Sequence, residues 1–451
     1  MKRIKHYVVL AALMTVLAVG STSCRMGTAA VPAEGRNISY QYSTEALKAD
    51  FDRFRRIIGR KTAQLYTDKE ELQKDLREAE TGINRPMTEL EFYRLLAPIV
   101  ADLKCGHSFL SVSGNFEKHM REDALFFPAE VRIIDERLFV IADPADTGLE
   151  PGMEIVGING ERTEQIINRL YASVPTDGDD TGRLRYDTER WFASFYYTYI
   201  GTPEVFSLEV RKPETATIRV IEVPAVRDPV LAKTAQGVMH DTANTPWSVS
   251  IEDNYALLSI PTFNYSDKEG YARFLQTSFA KIAEKDLGTL ILDLRGNYGG
   301  TPFPTVELFR YLIDKPLPFF AKDNPFYLNR WKKPVAKAED AFNGDLYVLI
   351  DEAGFSMNSF LVSLLKYHHI GTLIGAATSG GYKCSDASIN TTLRNTGLRL
   401  RYSTAVFQTA VEGFEDGIGI EPDIYVQWAL AHYLNGDDPV LDAALRSAGI
   451  E

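Results

Sequence analysis

Residues 344–369, GDLYVLIDEAGFSMNSFLVSLLKYHH, carry the pattern that most restricts the fold. The apolar run Leu346–Ile350 reads as a buried strand. A turn at Ala353 and Gly354 follows, then an apolar helix opening at Ser356. A buried strand that feeds directly into a helix is the repeating unit of an α/β layer, in which sites gather at strand ends. A serine at that helix start has its hydroxyl at the positive end of a helix dipole, beside N–H groups with no partner inside the helix. Such a place can present a nucleophile and hold an oxyanion. Serine is equally at home there as a plain N-cap. Ser356 therefore takes on chemical meaning only from other segments.

Size and charge narrow the function classes. A chain of 451 residues, 45% hydrophobic and 24% charged, suits several domains with buried cores. Its formal charge of −12 opposes electrostatic binding of nucleic acid or anionic lipid, and the mature region shows no basic stripe.

The N-terminus reads as a processing signal. Lys2, Arg3 and Lys5 precede an apolar run from Tyr7 to Gly20, then Ser21, Thr22, Ser23 and Cys24. The run is short for a membrane span. A cysteine directly after small residues resembles the lipobox of bacterial lipoproteins, which assigns residues 1–24 to a lipoprotein signal, Cys24 to lipidation and residues 25–37 to a flexible tether. The expected location is extracytoplasmic, in the cell envelope, at the periplasm or outer membrane. The remaining cysteines, Cys105 and Cys384, pair or stay as buried thiols. Their spacing suggests no metal, and nothing calls for a nucleotide or organic cofactor.

Along the chain, residues 38–122 have helical periodicity, with Leu47, Phe51, Phe54 and Ile57 on one face and a capping box of Thr88 with Glu91. Residues 123–225 switch to strand-like alternation. Within them Gly148 to Leu170 resembles a PDZ domain, with a Pro151-Gly152 turn, a strand over Glu154–Ile158, a tight turn at Asn159-Gly160 and a helix from Thr163. A small structural β-module is the alternative reading. The acidic stretch Asp177, Asp179, Asp180 lacks the spacing of a calcium loop and is read as a solvated loop. Residues 245–435 alternate strands (Tyr255–Ile260, Thr289–Leu294, Leu346–Ile350, Thr372–Ile374) with helices (Glu269–Glu284, Thr305–Leu312), and residues 436–451 form a tail helix.

Two short segments add chemistry. In ILDLRGNYGG, residues 291–300, Gly299 and Gly300 leave backbone N–H groups free to face a ligand, although a glycine pair after a strand is usually just a turn. Here one of those amides joins that of Met357 as an oxyanion hole. In LKCGHSFL, residues 103–110, His107 is a candidate base for Ser356, since imidazole titrates near neutral pH. His6 lies in the signal, and His368, His369 and His432 accompany helices that look structural. His119 and His240 stay open on chemistry alone.

A Gly-His-Ser after a helical region, a PDZ-like insert, an Asp-Leu-Arg-Gly-Asn-x-Gly-Gly strand end and a Ser-x-x-Ser helix start occur here in the order seen in tail-specific, or C-terminal-processing, serine peptidases and their tricorn relatives. The chain resembles that family over nearly all of its mature length. The resemblance implies an α/β multidomain fold: an N-terminal helical subdomain, a PDZ-like β-rich module and a ClpP/crotonase-like catalytic core.

It further implies Ser356 as nucleophile. The stretch GAATSGGYKC has Gly381 where the lysine-dyad branch carries its lysine, with Lys383 displaced by two. That favours the tricorn-like branch, in which a histidine is the base, and His107 matches it. Ser108 follows the histidine, whereas the family's orienting serine precedes it, where this chain has Gly106. The supporting acid is expected in VEGFEDGIGIEPDI, with Glu415 chosen and Glu412 and Asp416 as neighbours. The family fold would also bring Cys105 and Cys384 near Ser356, where a disulfide could clamp cap to core. The implied partner is a polypeptide substrate, with the membrane engaged through the lipid. A catalytically inactive homologue that binds peptides or apolar ligands is the alternative.

Overall fold

The computed structural model describes residues 37–212, 215, 217–227 and 247–450; Cys24, the signal, His240 and all but the end of the tether lie outside them. The first helix, Thr44–Arg60, starts where the Ser43 hydroxyl accepts the Ala46 N–H, and it buries Leu47, Phe51, Phe54 and Ile57. Helix Glu89–Ala101 opens on the expected capping box: Glu91 N–H donates to Thr88 Oγ1 at 3.2 Å, and Thr88 N–H donates to Glu91 Oε2 at 2.8 Å.

The β-rich stretch forms an antiparallel sheet ordered Glu130–Ile134, Arg137–Ala142, Glu154–Ile158, Val205–Arg211, Ile218–Pro224, with Glu161–Arg162 turned back onto Glu154–Ile158. Asn159 and Gly160, both at positive φ, make that turn. Side chains from this sheet and from the N-terminal helices, including Phe54, Val131 and Ile155, share one continuous buried cluster.

The six-stranded core sheet runs Ile424–Tyr425, Thr372–Gly375, Asp345–Ile350, Thr289–Asp293, Ala256–Ser259, Ser248–Ile251, parallel except for the last pair. Both faces are covered, as parallel sheets require. Leu292, Val348 and Ile350 pack with helices Lys268–Glu284, Pro302–Leu312 and Met357–Tyr367, whereas Ile291, Leu349 and Ile374 pack with helix Pro439–Ser447. Because the strands are parallel, Thr289–Asp293 and Asp345–Ile350 end on the same edge, in register at Asp293 and Leu349. The glycine loop and the Ser356 turn both leave from that edge.

A second pairing brings in the distant segment. Strand Phe109–Ser111, directly after His107, lies antiparallel to Arg399–Tyr402, with Leu110 opposite Leu400. The excursion between core strands Thr372–Gly375 and Ile424–Tyr425 thus holds the histidine-bearing segment.

Candidate active site

Ser356 sits at φ 56°, ψ −122°, a left-handed backbone that costs a non-glycine residue about 1–3 kcal/mol. Packing and hydrogen bonds hold it there. Gly354 N–H donates to Asp351 O at 3.0 Å, Gly380 N–H to Gly354 O at 2.9 Å, and Phe360 N–H to Ser356 O at 3.0 Å. The hydroxyl makes no cap bond to its own helix. Its partner is His107 Nε2, at 3.0 Å, from 249 positions away.

His107 is buried, its ring tilted against Phe355 with centroids 4.5 Å apart. Asp386 Oδ2 lies 3.8 Å from Nε2. Burial pushes the imidazole below its ordinary pKa. The Asp386 carboxylate opposes that, and the Arg401 and Arg183 guanidiniums add to it. Asp386 itself is held below the usual carboxylate range: burial raises it, but the His107 charge, the Ser388 hydroxyl bond and Arg401 prevail. His107, Ser356, Asp386, Arg401, Gly300 and Thr301 help line a cleft of about 170 Å³.

The strand-end loop is tied to the serine helix by Asn358. Its buried side-chain amide donates to Leu294 O at 3.0 Å and to Asn297 O at 2.9 Å. Gly299, at φ 90°, comes so close to the serine turn that a Cβ there would stand 2.5 Å from Phe355 O, 2.8 Å from Met357 N and 2.9 Å from Ser356 Cβ. Its own N–H is committed to Asn297 Oδ1 at 2.8 Å. Of the three amides expected at an oxyanion hole, those of Met357 and Gly300 have no acceptor among the described residues.

Other expected groups are placed differently. Ser108 Oγ is buried beside Cys105 Sγ and Ser403 Oγ and accepts the Ser403 N–H at 3.1 Å, so it belongs to the packing beneath the histidine loop rather than to its ring. Gly106, where an orienting serine would sit, has room for no side chain: a Cβ would meet Phe355 Cζ at 2.7 Å and Arg183 Nη1 at 2.9 Å. Glu415 and Glu412 are exposed and outside the cleft lining. Asp416 binds Tyr382 Oη at 2.5 Å and Lys383 Nζ at 2.8 Å, which also occupies that lysine away from Ser356. Cys105 and Cys384 are both free buried thiols, not a disulfide.

The sequence reading missed two acids. Asp386 reaches the cleft because its strand, Lys383–Asp386, pairs with Ala405–Gln408, a contact with no local signature. Asp177 is buried, accepting the Gly106 N–H on Oδ1 at 2.8 Å, and Asp180 caps helix Thr181–Arg190 by accepting the Arg183 N–H at 2.8 Å. Only Asp179 of that stretch is exposed, against Lys104. The Asp-Gly-Asp-Asp composition masked this, although an aspartate before a helical run is a cap signal.

A serine set on a strand-to-helix turn of a parallel sheet and facing a buried imidazole has the layout of a serine hydrolase centre. Residues 254–426 match the model of peptidase family S41, a likeness that supports a serine peptidase. Among solved structures, mature CPAF complexed with lactacystin is similar, with 16% identity, a TM-score of 0.65 and coverage of 89% of this chain and 97% of that one. Mature CPAF alone gives 15%, 0.64, 88% and 95%. At such identities the likeness concerns the fold. No curated protein matches by sequence.

Proposed function

We propose that the protein is a peptidase of the Ser/His, tricorn-like kind, cleaving polypeptides through an acyl-enzyme. The observation that carries this reading is the 3.0 Å contact between His107 Nε2 and the strained Ser356. His107 accepts the Ser356 hydroxyl proton as Oγ attacks the scissile carbonyl, then returns it to the leaving amine. The N–H groups of Met357 and Gly300 receive the developing oxyanion. Asp386, in place of Glu415, stabilises the imidazolium through space. Water, deprotonated by His107, then releases the acyl group.

The β-rich sheet serves as a PDZ-like module beside this core. The N-terminal signal with Cys24 supports action as a membrane-tethered enzyme of the cell envelope, where substrates are extracytoplasmic polypeptides.

The test is labelling by a fluorophosphonate probe together with hydrolysis of an unfolded polypeptide. Ser356→Ala should abolish both, and His107→Ala should lower the rate roughly ten-thousandfold or more. Labelling that persists in Ser356→Ala would remove the nucleophile from the scheme.

A further inference from the structure

Behind the face of His107 that meets Ser356, three side chains converge. A ring nitrogen of His107, a carboxylate oxygen of Asp177 and Cys384 Sγ all lie within 4.8 Å of one another. All three residues are buried, at 3%, 1% and 3% exposure. His107 Nε2 is taken by Ser356, and the other nitrogen, Nδ1, makes no hydrogen bond of ordinary geometry, with only the Ser385 carbonyl acting on the ring from the backbone; Asp177 Oδ2 has no partner. Two orphaned polar atoms at such depth are costly and call for a partner.

The cluster is built from three separate segments, so no spacing in the chain announces it. Each ligand is held from behind. Gly106 N–H fixes Asp177 Oδ1, Phe355 packs on the imidazole, and Cys384 sits in a strand opposite Phe407. The buried cation nearby, Arg183, is ion-paired with Asp187 at 3.0 Å and makes no hydrogen bond to Asp177, although its charge still favours the Asp177 carboxylate.

We propose that His107, Asp177 and Cys384 form a site for a zinc-class divalent cation, and that filling it switches off the catalytic base. The switch rests on the peptidase reading above; the site does not. One nitrogen, one oxygen and one sulfur donor suit zinc, with a water in the fourth position. Donors around tetrahedral zinc stand roughly 3.3–3.8 Å apart, given metal–ligand distances of about 2.0–2.3 Å, so the cluster must contract by about 1 Å. Carboxylate and thiolate together neutralise the two charges of the ion.

The proton balance explains the switch. In the active tautomer Nδ1 carries the imidazole proton and Nε2 accepts from Ser356. Ligation through Nδ1 moves that proton to Nε2, while Cys384 loses its thiol proton to solvent. Nε2 then donates to Ser356 Oγ and can no longer accept. The ion forms bonds to nitrogen, oxygen and sulfur, and no redox step is involved.

Cobalt(II) titration of the full chain reads the site without activity. A thiolate-to-cobalt absorption band should appear in the wild type and in Ser356→Ala, and disappear in Cys384→Ala and in the closer isostere Cys384→Ser. In parallel, zinc should inhibit wild-type hydrolysis at least tenfold, with chelator restoring the rate, while folded Cys384→Ser, compared with its own metal-free rate, escapes inhibition. No thiolate band in the wild type overturns the site. A band without inhibition of an active enzyme, or equal inhibition of Cys384→Ser, overturns the switch. A protein that shows the band yet hydrolyses no polypeptide with or without chelator supports the site and refutes the peptidase reading alone.

Discussion

Gly299→Ala tests whether the glycine loop is fitted against the serine turn. Two costs follow from the geometry. At φ 90° an alanine is strained by about 1–2 kcal/mol. Its Cβ would also stand 2.5 Å from Phe355 O and 2.8 Å from Met357 N, so the loop and the turn must separate by roughly 0.5–1 Å, an overpacking cost of about 1–3 kcal/mol. Together these lower stability by roughly 2–5 kcal/mol.

The same displacement carries the Gly300 N–H away from the Met357 N–H. Losing one oxyanion donor costs about 3–4 kcal/mol of transition-state stabilisation, a fall in kcat of roughly a hundred- to a thousandfold, with KM little changed. Steady-state kinetics and thermal melting below the transition separate the two effects. Gly148→Ala is the control: it has the same φ of 90° with nothing within 4 Å of its Cβ, so it bears the backbone strain alone and should keep full kcat. A Gly299→Ala enzyme with kcat within about threefold of wild type would refute the fit between loop and turn and, with it, the assignment of Gly300 to the oxyanion.

Three further outcomes follow from other parts of the structure. Asp386→Asn removes the charge 3.8 Å from His107 Nε2 and should lower kcat about ten- to a hundredfold without abolishing probe labelling, whereas Glu415→Gln should change kcat by less than about twofold; the ratio of the two decides which acid serves the site. Asn358→Ala strands the Asn297 carbonyl and leaves Leu294 O with only the Asn297 N–H at 3.4 Å, and should cost about 1–3 kcal/mol in denaturant unfolding. Glu189 is raised by burial to about 7, against the partial help of Arg185, Arg132 and the Ile133 N–H. A carboxyl whose folded pKa lies above its unfolded value stabilises the fold fully below the unfolded value, near 4.5, and loses that contribution as pH rises through 7. Glu189→Gln should therefore flatten the decline in melting temperature between those pH values, a slope to which Glu89 and Asp351, both also raised to about 7, contribute in the same direction.

What could be read from the sequence divides by distance along the chain. The strand, turn and helix around Ser356 are contiguous, and each carries a local signature: a β-branched or apolar run, a glycine, then an apolar helical face. The cap bond of the alternative reading of Ser356 is absent: its hydroxyl meets His107, a contact made by tertiary packing. The histidine could be proposed only from motif order, since the contact depends on Phe109–Ser111 pairing with Arg399–Tyr402, two segments with no compositional link.

The acids show where motif reasoning stops. Glu415 was chosen by its register in a loop motif, yet register in a loop says little about direction, and the side chain is exposed. Asp177 lies in an acidic stretch that reads as a solvated loop, and Asp386 in a segment with no local signal. Asp386 is brought to the cleft at the end of an antiparallel pair and stays partly exposed, whereas Asp177 is buried and accepts the N–H of a glycine that has no room for a side chain. Gly106 is the residue that links these facts. The serine expected there would collide with Phe355 and Arg183, so this chain has no orienting hydroxyl before its histidine and places a carboxylate beneath the loop instead. Gly106→Ser should therefore supply no orienting hydroxyl to the histidine. It should displace the Phe355–His107 packing and lower kcat by roughly tenfold or more, and a Gly106→Ser enzyme of undiminished kcat would show that the histidine loop is not wedged against Phe355 at all.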